Sequence, residues 1–447
     1  MSSDSAPVRP KRNFLKALGP AFIVASVVLG PGSILTNSKV GTEYGYQMIW
    51  LLAFAGILMF ILTSLSARLG VLFEHSFCTE LRNRFHPAVG IIVGISVFLI
   101  CACFQFTNNL GVIAAIEPYF DNPETGASGL SNMTVAIILV VLNGLIIATL
   151  FGLKQVYKPL ERVMMFLVAI MMIMFALNVI VAQPDLLSIL GGLIPSLPEG
   201  QQLKDLWPRL IEGKVISPAG ALVALVATTL SVAGAFYQGY LVKEKGWNLN
   251  DLPQQKVDSA AGIFVLTGIS LIVMLTSAAV LHGKVSPDEL SSVSAVAQQL
   301  SPLLGSWGSM AEILFSVGIF AGAFSSFLGN SLIGGVLLSD GLGYDWRMQG
   351  MATKICTALG LLVGMVVAIG VRGGGDAVTV IVFGQGLTVL GLPFVAIALI
   401  ALTWQVQKDG KTVPAWMRWG GMIVLVLVVL LAARTAWMLI LQMSLAT

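Results

Sequence analysis

The chain reads as an all-α membrane protein of about eleven spanning helices, and three observations lead there. Of its 447 residues, 56% are hydrophobic and 11% charged, against roughly 25% charged in an ordinary soluble domain. The apolar residues gather in runs of about 20 or more, long enough to cross a hydrocarbon core of roughly 30 Å, without the ten-residue alternation of a membrane barrel. The first and sixth runs are each interrupted where an ordinary span would continue. That places two five-helix halves of opposite topology in the membrane, a 5+5 inverted repeat.

In chain order, residues 1–13 form a polar, basic tail assigned to the cytoplasm. Segment 14–42 follows, and because no small-residue cleavage site stands behind a short apolar core, it reads as a retained first helix. It carries Gly30-Pro31-Gly32-Ser33. Segments 47–73, 87–118, 133–153 and 158–182 complete a first repeat over 14–182, and 183–215 is an extracytoplasmic loop. The second repeat, 216–404, holds segments 216–246, 255–282, 305–338, 352–371 and 374–404. Its first member is interrupted at Ser231-Val232-Ala233-Gly234-Ala235. Residues 405–447 supply a cytoplasmic loop and an eleventh helix, 416–443.

Placing the N-terminus in the cytoplasm puts 18 of the 25 Lys and Arg inside, among them Arg68, Arg82, Lys154, Lys243, Lys354 and Lys411. The positive-inside rule then orients the chain as a multi-pass inner-membrane protein with its C-terminus outside. A net charge of +3, dispersed among loops, gives no basis for nucleic-acid binding. Cys78, Cys101, Cys103 and Cys356 sit in spans or inner loops, so no disulfide is implied. The sequence is silent on oligomeric state.

Paired broken helices in corresponding positions of two inverted halves point to a binding site near the bilayer midplane. The freed backbone groups there must line protein or a wet cavity, because lipid cannot satisfy them. Helices 1 and 6 are therefore expected to unwind near Gly30 to Ser33 and near Ser231 to Gly234.

At these residues the chain resembles the NRAMP divalent-metal transporters, a family of the LeuT fold. That family carries Asp-Pro-Gly-Asn at the helix-1 break, followed at fixed distance by Gly-x-x-Phe/Tyr-Gly-Tyr. Here Gly30-Pro31-Gly32-Ser33 is followed without a gap by Gly41-Thr42-Glu43-Tyr44-Gly45-Tyr46. Gly322-Ala323-Phe324-Ser325-Ser326 resembles the Gly-Gln-Ser-Ser run of helix 8, and Gln385 precedes Leu392-Pro393-Phe394 as in helix 10. The resemblance spans essentially the whole chain. It implies a LeuT-like fold and a secondary transporter of divalent metal ions.

The departures fall on the chemistry. The family's metal-binding Asp and Asn of helix 1 map to Gly30 and Ser33, and Met-Pro-His of helix 6 maps to Ser231, Val232 and Ala233. A second helix-6 His aligns with Gln238, and the helix-3 acid aligns near Asn109. Loss of the thioether removes a basis for selecting soft transition metals, and a hard ion wants only oxygen.

What remains is a set of neutral oxygen donors. The substrate-binding residues expected are Gly30 and Ser33 at the first break, with Thr36 beyond it, and Thr228 and Ser231 at the second, with Thr229. The resemblance adds Ser325, Ser326 and Gln385 from the helices that border the site in relatives, with freed carbonyls near Val27, Leu29 and Thr228. The ordinary reading of each hydroxyl is a bond to the carbonyl a turn back or a helix contact. No particular metal ligand set is identified, and no cofactor is expected.

Lys39, about two turns outward of the first break, reads either as a snorkelling lysine or as a vestibule cation. Phe236, Tyr237 and Tyr240 read as packing, and Glu117, Glu312 and Asp340 as interfacial acids. His75, His86 and His282 make no metal or catalytic spacing, so an enzyme is not indicated. The functional expectation is a metal-ion transporter that moves a hydrated hard cation without proton coupling. The alternatives are a carrier for a small polar organic solute or a non-transporting sensor.

Overall fold

A computed structural model of the chain describes residues 19–120, 130–198, 203–211, 213–290, 295–297, 307–372 and 377–446. The expected tail 1–13 lies outside them. The helices long enough to matter for the membrane are α1 (Pro20–Val28) and α2 (Pro31–Tyr44), α3 (Ile49–Leu72), α5 (Pro87–Ile116), α6 (Asn132–Gly152) and α7 (Tyr157–Ala182). They continue with α9 (Gly220–Thr229) and α10 (Val232–Glu244), α11 (Leu252–Val280), α12 (Gly308–Gly341), α13 (Met351–Arg372), α14 (Ala377–Lys408) and α15 (Ala415–Ala446). Among the described residues ten helices are long and apolar enough to cross a membrane, eleven when the bent pair α1 and α2 counts as one span.

Shorter elements lie in the connections. α4 (Phe77–Arg84) follows α3, and the loop after α7 holds α8 (Leu186–Gly191) and a hairpin of β1 (Arg209–Ile211) with antiparallel β2 (Lys214–Ile216). Asp185 caps α8, accepting from the Leu187 and Ser188 amides. The hydropathy pattern has no signal for any of these, because none is long enough to span.

Long α12 is the central post, packed along α5, α7 and α13. Without a hydrophobic drive between helices in lipid, close contact relies on small residues. A Cβ added to Gly94 of α5 would stand 2.6 Å from the Leu337 carbonyl of α12, and one on Gly70 of α3 would stand 2.5 Å from the Gly239 carbonyl of α10. The outer faces of α6, α7 and α13 present Ile137, Leu145, Phe166, Ile180 and Val366, each more than half exposed. Such a belt suits lipid and not water.

One end of the bundle gathers the basic residues, and several cap helix C-termini there. Lys411 and Lys243 donate to the Leu72 and Phe73 carbonyls at the end of α3, at 2.7 and 2.6 Å, and Lys354 donates to the Leu153 carbonyl after α6 at 2.9 Å. Cations at this end of a helix satisfy orphan carbonyls and the macrodipole together.

Candidate functional site

The first break follows from proline chemistry. A helix running through Pro31 would lack one N–H and press the ring on the carbonyl of Val27. Accordingly α1 ends at Val28, Leu29 leaves the helix (φ −76°, ψ 44°), Gly30 is extended, and α2 starts at Pro31 with its axis turned by 62°. The unwound residues are thus Leu29 and Gly30; Gly32 and Ser33, expected in the break, already belong to α2.

The end of α1 leaves carbonyls without helical partners. Ser325 and Ser326 of α12 take two of them, donating to Ser26 O at 2.9 Å and Val27 O at 2.8 Å. At the second break Leu230 and Ser231 are non-helical, and the Ser231 hydroxyl accepts from the Gly234 amide at 3.2 Å as an N-cap. Gly234 itself is helical, so this break lies slightly before the expected one. The two pieces α9 and α10 stay close enough to one axis to pass as a single span.

Between the breaks lies a cavity of about 40 Å³, a size for water or a small ion. Of the expected residues it is lined by Gly30, Ser33, Thr228, Ser231 and Ser326. Ser325 does not line it: its hydroxyl is spent on the Ser26 and Gly322 carbonyls. The side chain of Gln385 lies outside the described residues. The cavity also takes in Thr107 and Asn108 from α5, Asn330 from α12 and Thr388 from α14, none of which had been singled out as a site residue. Asn109, the position matched to the helix-3 acid, is buried beside it, donating to Gln105 O at 2.7 Å and accepting from Asn143 at 2.9 Å.

No charged side chain and no sulfur lines this cavity among the described residues, and nowhere among them do three His, Cys, Asp or Glu gather to hold a metal. The lining therefore offers hydroxyl, amide and carbonyl oxygen, the donors of hard ions. Lys39 is half-exposed on α2, on the helix face it shares with Gly32, which is exposed and lines the cavity.

Around the site, Phe236, Tyr237 and Tyr240 are fully buried and ring-packed with Phe77 and Trp346, as packing side chains. Asp340, one residue from the end of α12, is held by protein groups. It is fully buried and accepts from Ser76 Oγ and Tyr240 Oη at 2.6 Å, Thr79 Oγ1 at 2.8 Å and the Cys78 amide at 3.1 Å. A buried carboxylate persists where its lone pairs are filled this way. Burial, then the nearby Asp340 charge, pushes the Cys78 thiol well above its usual range, which makes it an inert packing residue. A second buried carboxylate, Asp258 near the start of α11, accepts from the Gly19 and Ala21 amides at 2.8 Å each and so caps the start of α1 from another helix. Glu117 is partnered too, in an ion pair with Arg372 that joins the ends of α5 and α13.

Residues 21–438 match the family model described as natural resistance-associated macrophage protein-like. Curated relatives include the divalent metal cation transporter MntH of Deinococcus radiodurans, 25% identical over 407 residues, covering 89% of this chain and 84% of that protein. MntH of Bradyrhizobium diazoefficiens is 20% identical over 406 residues, covering 90% and 84%. Among solved structures, the manganese transporter of Eremococcus coleocola bound to an aromatic bis-isothiourea compound superposes with a TM-score of 0.74 at 18% identity, covering 96% of this chain and 88% of that one. MhsT in complex with L-phenylalanine gives 0.56 at 16% identity, covering 92% and 98%. These likenesses show a LeuT-like fold, and the match along almost the whole sequence shows that the chain belongs to the Nramp family.

Proposed function

We propose that this chain is a secondary transporter that moves divalent metal ions across the membrane, taking a hard, partly hydrated cation without proton coupling. The observation that carries the reading is the cavity where both helix interruptions meet, lined by neutral oxygens and by no titratable side chain among the described residues. A site with oxygen donors alone favours hard ions, and without a carboxylate it lets the ion keep part of its water. With no group there that changes charge near neutral pH, ion binding has no local proton to release. We assign the lysine-capped end to the cytoplasm by the positive-inside rule, with the N-terminus inside and the C-terminus outside.

Uptake into proteoliposomes tests this, with magnesium, calcium and manganese supplied in turn and internal pH followed together with the metal. Saturable entry of magnesium or calcium at constant internal pH is expected. If none of the three ions enters, the metal reading falls and a carrier of a polar organic solute takes its place; stoichiometric acidification with uptake overturns the uncoupled mechanism.

A further inference from the structure

We infer that Asn108 and Asn330 hold the transported cation, each turning its amide oxygen into the cavity. The inference rests on the metal reading above and assigns the ligands of that same site.

The direction of two hydrogen-bond relays carries it. A backbone carbonyl can only accept. The Phe327 carbonyl therefore takes a hydrogen from Gln105 Nε2 at 2.8 Å, which leaves Gln105 Oε1 to accept from Asn108 Nδ2 at 3.3 Å. With its NH2 group turned to Gln105, Asn108 presents Oδ1 to the cavity. On α12 the Val27 carbonyl takes the Ser326 hydroxyl hydrogen at 2.8 Å, and Ser326 Oγ accepts from Asn330 Nδ2 at 3.0 Å. Asn330 is left with Oδ1 facing the cavity in its turn. Both side chains are more than nine-tenths buried, both line the cavity, and neither oxygen accepts from another described residue. Reversing either amide would set its Oδ1 against an acceptor oxygen, Gln105 Oε1 or Ser326 Oγ, and turn the NH2 group into the cavity, at the cost of an unsatisfied buried donor.

Two threonine hydroxyls add acceptors to the lining. Thr107 and Thr228 spend their hydrogens on the Phe104 and Ala224 carbonyls, each at 2.9 Å, so lone pairs face inward. Oxygens held as acceptors on this wall favour a cation over an anion. Asn108 Oδ1 also lies 3.4 Å from where a Cβ on Gly30 would stand, which places it against the first break.

Calorimetric titration of the purified full-length protein with magnesium, calcium and manganese chlorides, and with methylammonium chloride, tests the assignment. Wild type should bind magnesium or calcium, Asn108→Ala and Asn330→Ala should each weaken that binding about fivefold or more, and Asn178→Ala, a buried amide bonded to Ala311 O away from the cavity, should leave it within about twofold. Should an alanine variant fail to fold, Asn108→Thr and Asn330→Thr keep a hydroxyl for each relay and are measured instead. Metal binding that survives both substitutions within about twofold overturns the assignment while the metal reading stands. Heat from methylammonium and from no metal overturns the metal reading itself.

Discussion

Gly30 and Ser326 contend for one volume. A Cβ at position 30 would lie 2.6 Å from Ser326 Oγ and 3.0 Å from Ser326 Cβ, while that hydroxyl is committed to the Val27 carbonyl. The serine thus stands where a helix-1 carboxylate would begin, and the two positions are coupled. Gly30→Asp with Ser33→Asn and Ser231→Met should overpack the site, lowering stability by about 1–3 kcal/mol. Adding Ser326→Gly should relieve the crowding and raise manganese affinity by about tenfold or more over wild type, worth about 1.4 kcal/mol. Thermal unfolding and calorimetry on both variants check this; equal stability and equal manganese affinity with and without Ser326→Gly would refute the coupling. At this scale the sequence was legible where backbone chemistry marks a residue: Gly30, Ser33, Thr228 and Ser231 flank the breaks and do line the cavity. Asn108 and Asn330 were not legible, because an amide in an apolar run reads equally as helix glue. Only the direction of its hydrogen bonds turns it into a ligand.

Among elements, the half-helix α1 is short and has no cap of its own, since Gly19 offers no side chain. Asp258 supplies the cap across the interface, with Gln238 Nε2 at 3.4 Å from the same carboxylate, and the Lys245–Glu161 pair at 2.8 Å stands next to Gly19. Asp258→Ala leaves two N–H groups of the first turn unpaired in the interior, each costing about 1–3 kcal/mol, and removes a favourable charge from the helix N-terminus. It should lower the thermal unfolding temperature markedly. Asp258→Asn, which retains one acceptor, should lower it less. Equal stability of the two variants with wild type would show that α1 is held elsewhere. The long helices were readable from hydropathy because the bilayer imposes their length, whereas α4, α8 and the hairpin, which it does not constrain, were invisible. The breaks fall slightly ahead of the expected stretches for a simple reason: Pro31 at the first helical position and Ser231 as N-cap start the next half-helix, so the unwinding ends at Gly30 and at Ser231.

For the whole molecule, the fold and the chemistry point in different directions. The chain keeps the architecture of its family, with lysines capping helix ends at one face and paired interruptions at the centre. Yet the centre carries no carboxylate and no thioether among the described residues. The architecture follows from span length, charge asymmetry and helix-breaking residues, all of which are local in sequence. The site assembles from helices far apart in the chain, and that convergence is legible only in three dimensions. The central claim is that a metal ion passes through a neutral, all-oxygen site. The most direct test is side-by-side calorimetric titration of the unmodified protein with manganese and magnesium chlorides. Weak binding of both, with affinities within about tenfold of each other, is predicted; tight manganese binding far ahead of magnesium would contradict the account and require a soft or charged ligand at the site.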